Sequence, residues 1–329
     1  MIYLIIAVLL FISLLGYFKI ADRFNIIDKP NQRSSHTSIT IRGGGVVFPI
    51  AAILSGILPE ILPEILPGIF LATNEMDWIL IAGVVAISIV SFWDDVSSLP
   101  NKVRILVHLF SVTALLYASM VFSIWPWWAI LLAYVLIIGT INAYNFMDGI
   151  NGITGVYSLA VLGSAWLYYQ TAHLDEPIPM LIIPSIIACV VFLFFNFRKK
   201  AKCFAGDVGS VSIGFIVLSI LLGIILHSGE LKFIFFLAIY GVDAVLTIVH
   251  RLMLKQNIFE AHRLHFYQIL ANERKVSHLV VSAVYGITQL IVNLLIIYTD
   301  YNFVITGLIV CVPLAIVYAL AKPRLMKIA

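Results

Sequence analysis

Two adjacent carboxylates, Asp94 and Asp95, close a long apolar run and stand ten residues ahead of Arg104. Neighbouring carboxylates repel, a cost that a divalent cation or another bound cation offsets. A solvated capping loop also accommodates Asp. Asn142, Asn145 and Asp148 recur at intervals of three. If one helix continues through all three, they form a stripe able to hold a polar base, a sugar or a metal-bound water. Gly149 and Gly152 would let the backbone turn tightly there, and an ordinary Asn-Asp-Gly turn is the plainer alternative. Gly206-Asp207-Val208-Gly209-Ser210 opens a further apolar run. A helix beginning there offers backbone N–H groups to an anion, and Asp207 offers Mg²⁺ a hard oxygen; a simple helix cap would use the same residues. His262 and His265 share a face if helical, fitting phosphate, sugar or a metal. Zinc would want more ligands and no Cys is near, so phosphate or sugar contact is the better expectation. Arg33 and Arg42 suit phosphate oxygens, as do Arg104 and Arg263, and Gly43-Gly44-Gly45 permits close backbone approach. Solvated loop charge is the default for such residues.

The elements that must hold these residues are membrane helices. Hydrophobic residues make up 62% of the chain, charged residues 11%, and mean hydropathy is +1.06. Soluble domains carry about 25% charged residues, so a soluble fold is excluded. Long apolar runs, and the need to satisfy every backbone group in lipid, predict helices rather than a barrel. The expected fold is an all-α polytopic membrane protein, a single membrane-embedded domain over residues 1–329, with about 11 transmembrane helices. They are predicted near 2–19, 44–58, 77–93, 105–123, 126–142, 153–170, 179–196, 209–227, 231–249, 279–298 and 302–320. The first is uninterrupted and lacks a small-residue cleavage site after it, which predicts a retained span. The Trp125-Pro126-Trp127-Trp128 corner fits an interfacial aromatic belt.

Charge gives the orientation. Lys19, Arg23, Lys29, Arg33 and Arg42 lie in the first gap, and Lys102 and Arg104 in the third. Arg198, Lys199, Lys200 and Lys202 lie in the seventh, and Arg251, Lys255, Arg263, Arg274 and Lys275 in the ninth. Lys322, Arg324 and Lys327 lie in the tail. Of 20 Lys and Arg, Lys232 alone sits on the other side. The positive-inside rule then predicts an external N-terminus and a cytoplasmic C-terminus, with an affinity for anionic membrane lipid. The same gaps hold the chemically suggestive clusters, so a site for a phosphate-bearing substrate at the inner membrane face is expected. A nucleic-acid partner is not expected. The three cysteines are dispersed and suggest no disulfide framework. His108, His173, His227 and His278 read as structural. Asp243, inside a predicted span, is a functional candidate by position, or a hydrogen-bonding brace for the site.

Five stretches, Asp28–His36 with Arg42–Gly45, Asp94–Arg104, Asn142–Gly152, Phe195–Ser210 and Glu260–Gln268, together resemble the polyprenyl-phosphate N-acetylhexosamine-1-phosphate transferases, also called glycosyltransferase family 4. They come in family order with family spacing. The resemblance implies transfer of a HexNAc-1-phosphate, GlcNAc or a 6-deoxy-HexNAc, from a UDP-N-acetylhexosamine to undecaprenyl phosphate. UMP would leave, in a first membrane step of O-antigen or cell-wall polysaccharide synthesis at the bacterial inner membrane. It implies Mg²⁺, with Mn²⁺ able to substitute, and is compatible with a homodimer. Asp94 and Asp95 match the paired acidic residues of the catalytic centre, Asp207 a magnesium ligand with Asp94 beside it, and Asn142, Asn145 and Asp148 the nucleotide side. His262 and His265 match the histidine motif of the last large cytoplasmic loop. Two departures stand out. Asn151 replaces a second Asp, and Phe266-Tyr267-Gln268 follows His265 where further His would be usual, which favours the branch starting O-antigen-type glycans. The rival expectation is a transporter or flippase for an anionic solute. It would want a midplane polar site and an internal repeat, and neither is evident. A CDP-alcohol phosphotransferase would need a spaced Asp set that is absent from this sequence.

Overall fold

The computed structural model describes residues 2–30, 39–61, 73–172, 179–257 and 263–326. Eleven helices of fifteen residues or more occur among them. They are α1 (Ile2–Phe24), α2 (Val47–Ile61), α3 (Glu75–Val96), α4 (Asn101–Ala118), α5 (Trp127–Met147), α6 (Ile153–Thr171), α7 (Ile182–Asn196), α8 (Gly206–Ser228), α9 (Ala238–Met253), α10 (His278–Tyr298) and α11 (Phe303–Met326). Eight helical segments are long and apolar enough to cross a membrane by length and composition; α4, α6 and the fifteen-residue α7 are not among the eight. The chain is an all-α, multi-pass membrane protein.

Position in the bundle follows from side-chain character. α8 is apolar on every face and 83% of its most apolar stretch is buried, so it forms the centre. α11 is equally apolar, but only 17% of the corresponding stretch is buried. Large exposed side chains such as Leu4, Ile12, Leu131, Val135, Leu308 and Ile316 belong to the outer, lipid-facing surface. The segment before α9, Leu231–Leu237, is a 3-10 helix. Where it meets α9, Gln289 Oε1 accepts from Ile239 N at 2.9 Å and Tyr157 Oη from Tyr240 N at 3.3 Å. These buried polar side chains satisfy backbone groups that lipid could not.

Two close approaches set the bundle around α8. A Cβ on Gly45, just ahead of α2, would fall 2.1 Å from Gly209 Cα, so two backbones touch where only glycines fit. Gly206, at φ +71°, has Gly43 N and a carboxylate oxygen of Asp95 in the space a side chain would need. The strands β1 (Ile27–Asp28) and β2 (Thr40–Ile41) pair antiparallel, Ile27 opposite Ile41. Ile41 also bridges to Cys203, and Gly44 N and Gly45 N donate to Phe204 O and Ala205 O at 2.8 and 3.0 Å. The first gap is thereby tied to the residues that lead into α8.

Helix boundaries differ from the predicted ones mainly at that polar end. α5 runs on to Met147 and α8 starts at Gly206. The Asn and Gly-Asp residues there are therefore helical, where a hydropathy pattern places a loop. The odd-numbered gaps and the end of α11 gather at this end of the bundle. At the opposite end Lys232 pairs with Glu230 at 3.0 Å and donates to Thr299 O at 3.1 Å.

Candidate active site

Asp95 is the innermost residue of the cluster. Its side chain is fully buried, and Arg42 Nε lies 2.7 Å from Oδ1. Oδ1 also accepts from Asp207 N at 2.9 Å and Oδ2 from Val208 N at 3.0 Å. The first free N–H groups of α8 are thus capped by a carboxylate from α3. The anion expected at that helix end is thus the protein's own carboxylate. A lone sequence stretch cannot show it, because donors and acceptor lie 112 residues apart.

Around Asp95 two guanidiniums join three carboxylates. Arg42 Nη2 reaches Asp207 Oδ1 at 3.3 Å. Arg104 lies 3.1 Å from Asp94 Oδ2 and 3.9 Å from Asp207 Oδ2. Asp94 Oδ1 accepts from Leu99 N at 2.7 Å, which fixes the turn that carries Arg104. Side-chain exposure rises outward from 0% for Asp95 to 10% for Asp94, 20% for Asp207 and above 30% for both arginines. Charge density is greatest within, and the arginines form the open rim.

The Asn–Asp stretch contributes in part. Asn145 Oδ1 accepts from Ser210 Oγ at 2.7 Å, placing α5 against the start of α8. Asn142 instead turns its Nδ2 back to Ile138 O of its own helix, at 2.8 Å. The helix ends at Met147, with Asp148 at its cap, so the expected three-residue stripe is broken before its last member. Gly149 makes the turn against Tyr267, whose hydroxyl occupies the place of a Cβ. Asp148 accepts from Thr154 Oγ1 at 2.6 Å. Burial, and to a lesser degree the charge of Asp207, pushes its carboxyl up to about 6, against the Thr154 hydrogen bond and Arg42, which pull it down.

Asn151 does not face this cluster. Its amide donates to the carbonyls of Arg198 and Lys199 at 2.8 and 3.4 Å, while Asn196 Oδ1 accepts from Gly152 N at 2.6 Å. A carboxylate could not donate to those carbonyls, which gives the Asp-to-Asn departure a structural reason.

His265 does not lie on a helix. It precedes the one-turn helix Phe266–Gln268 and is buried, with Nδ1 3.5 Å from Asp243 Oδ1. Tyr267, read from the sequence only as part of a departure from the histidine motif, connects this segment to the Asn–Asp turn. Its hydroxyl donates to Phe146 O at 2.9 Å. Arg263 is partly exposed near this segment. Arg33 and His262 lie outside the described residues.

The chain is similar to known proteins. Residues 78–225 match the model of glycosyl transferase family 4. Over that stretch the chain is similar to that family. It is 25% identical over 268 residues to a probable undecaprenyl-phosphate N-acetylglucosaminyl 1-phosphate transferase of Bacillus subtilis, covering 77% of this chain and 71% of the relative. It is 27% identical over 291 residues to the undecaprenyl-phosphate alpha-N-acetylglucosaminyl 1-phosphate transferase of Escherichia coli K12, covering 81% and 75%. A phospho-N-acetylmuramoyl-pentapeptide-transferase of Thermotoga neapolitana is 30% identical over 174 residues, about half of each chain. The stretch matched by the family 4 model contains Asp94, Asp95, Asn145, Asp148 and Asp207. Arg42, the histidine segment and α11 lie beyond it, and the match to family 4 alone would not have joined them to the site.

The hard oxygens of Asp94 and Asp207, both within 4 Å of Arg104, suit Mg²⁺, which is commonly held by one or two carboxylates with phosphate oxygens and water. Asp95 does not suit it, because both its oxygens are engaged and no surface remains. Among the described residues no group of three His, Cys, Asp or Glu side chains could hold a metal by itself. A cation here would take its remaining ligands from water or a substrate.

Proposed function

We propose that this protein transfers N-acetylhexosamine-1-phosphate, GlcNAc or a 6-deoxy-HexNAc, from a UDP-sugar to undecaprenyl phosphate. An oxygen of the lipid phosphate attacks the β-phosphorus. A new P–O–P bond forms as the bond to the bridging oxygen breaks, and UMP leaves with that electron pair. One pyrophosphate linkage replaces another, so the barrier lies mainly in bringing two anions together. The observation that carries this reading is the Arg42–Asp95–Asp207–Arg104–Asp94 cluster, in a chain similar to family 4. Its arginine rim supplies fixed positive charge where a diphosphate must dock, and the buried carboxylates hold that rim in place.

Each residue has a role in this reading. Arg42 and Arg104 bind phosphate oxygens, with Arg33 and Arg263 as further candidates. Asn145 and Asp148 orient the nucleotide-sugar. Asp207, with Asp94 beside it, would hold Mg²⁺ or Mn²⁺. When bound, the ion would neutralise phosphate charge. The phosphate has a second pKa of about 6, so at pH 7 the lipid is mostly dianionic and needs little help from a base. Asp94 then orients and balances charge rather than removing a proton. His262, if it completes the histidine segment, contacts the substrate beside it; His265 supports that segment from within. Asn142 gives one amide hydrogen to its own helix, and its Oδ1 is a further candidate for the nucleotide-sugar. The reaction would run at the cytoplasmic face of the bacterial inner membrane, at the start of O-antigen or cell-wall polysaccharide synthesis.

The test is direct. Purified protein in detergent, given UDP-GlcNAc, polyprenyl phosphate and Mg²⁺, should release UMP and form a lipid-linked sugar, and chelation should stop it. A panel of UDP-sugars then assigns the donor. No UMP with any UDP-N-acetylhexosamine in the panel would refute the assignment.

A further inference from the structure

α11 is the most lipid-exposed of the long apolar helices, and the family match ends well before it. Its buried residues nonetheless recur every fourth position, or at a multiple of four, as Thr306, Val310, Tyr318 and Lys322. The last is a lysine only 2% exposed, on a helix whose other faces meet lipid. Such a residue is expensive to place and calls for a partner. Lys322 Nζ donates to Tyr318 Oη, and it lies 3.4 Å from Thr247 Oγ1. Tyr318 Oη and Thr247 Oγ1 are 2.7 Å apart. Thr247 Oγ1 lies 3.2 Å from Asp243 Oδ1.

A hydroxyl has one hydrogen to give. An ammonium only donates and a carboxylate only accepts, so the line has one direction. Lys322 donates to Tyr318, Tyr318 to Thr247, and Thr247 to Asp243. Asp243 is also the acceptor for Tyr285 Oη at 2.8 Å, Phe266 N at 2.8 Å and Tyr267 N at 3.4 Å. From Tyr267 the line continues to Phe146 O and the Asp148–Gly149 turn. A second tie joins the same elements, since Arg274 Nη2 donates to the carbonyls of Arg324 and Leu325 at the end of α11.

We propose that Lys322 and Tyr318 of α11 are positioning residues for the active site. Through Thr247 and Asp243 they set the histidine segment, and through Tyr267 they set the turn bearing Asp148. α11 is then a working part of the catalytic apparatus as well as a membrane anchor. The consequence for turnover rests on the transferase reading; the mechanical coupling does not.

The test uses the full-length protein in detergent with Lys322→Met, Tyr318→Phe and Asp243→Asn. Hydrogen exchange is followed by mass spectrometry. Tyr318→Phe keeps the lysine and nearly the same volume, so it reports even if Lys322→Met fails to fold. In either α11 variant, exchange should rise at least several-fold in residues 263–273 and 146–152, about 45 and more than 160 residues away in sequence, and stay unchanged in 206–215. UMP release should fall about tenfold, and Tyr318→Phe combined with Asp243→Asn should be no worse than Asp243→Asn alone. Faster exchange confined to α11, or multiplying losses in the double variant, would overturn the proposal. A wild-type protein that releases no UMP would sink the transferase reading alone, leaving the exchange result to decide the coupling.

Discussion

Asp94 and Asp95 are adjacent in sequence and opposite in circumstance. Asp95 is buried and accepts from two backbone amides and a guanidinium, whereas Asp94 borders the opening. Asp95→Asn would turn an NH₂ toward an N–H of α8 or toward Arg42, which would keep only Asp207 as its partner. A loss of about 1–3 kcal/mol is expected from leaving a buried donor unsatisfied, read as a fall in thermal stability along with activity. Asp94→Asn should keep its stability within about 1 kcal/mol but lose activity. Because the phosphate is already ionised, that loss should be a similar factor from about pH 6 to 9. Strong recovery of Asp94→Asn at high pH would instead mark Asp94 as a base. Asp148 gives a prediction of opposite sign. Its carboxyl is pushed up to about 6 from an ordinary value near 4, so the folded state holds this proton more tightly than the unfolded chain does. Its contribution therefore worsens as pH rises from about 4 and is complete above about 6, up to about 3 kcal/mol. Asp148→Asn keeps an acceptor for Thr154. It should lose less thermal stability than the parent between pH 5 and 7.5 while losing activity. Parallel melting curves for the two proteins across that range would remove the role of burial.

At the scale of elements, the site exists because α2 and α8 touch. Gly45→Ala would force its new methyl into Gly209, and no flexible side chain is available to yield. Separation of the two elements should cost about 1–3 kcal/mol and pull Arg42 away from Asp95 and Asp207. UMP release should fall at least tenfold even in the fraction that remains folded, with the larger effect in KM for the UDP-sugar. Gly139, which has open space where a Cβ would go, is the control. Gly139→Ala should leave both stability and KM unchanged. Much of this was readable early. The Gly triplet announced close packing, and the Gly-Asp-Val-Gly-Ser run announced a helix start. Their being each other's partners was not readable, because hydropathy gives the order of elements and not which ends meet.

For the whole molecule, the basic residues predict orientation. Cysteine substitutions at Asn101 and Gln256 should be labelled only from the cytoplasmic side, and those at Asn74 and Asp300 only from outside. Labelling of position 256 in intact cells would invert the topology. The arrangement in space fits one polar end. Residues from the first, third, fifth, seventh and ninth gaps bond to one another there, and Lys232 finds Glu230 and Thr299 at the other.

The sequence by itself determined the class of the protein, the order of its helices and the stretches that carry chemistry. Those depend on composition and local pattern: apolar length for a span, Lys and Arg for sidedness, Gly and Asp for turns and caps. Tertiary structure decided what each polar residue faces. Asp95 became a cap for α8, Asn142 bonded to its own helix, Asn151 became a bracket for the Arg198–Lys199 turn, and Asp243 became the seat of the histidine segment. A carboxylate or amide is suited to all such tasks, and which one it performs depends on the donors and acceptors brought beside it from a hundred residues away. In an apolar bundle every buried polar group must find such a partner, so long-range pairing fixes its role once the helices have met.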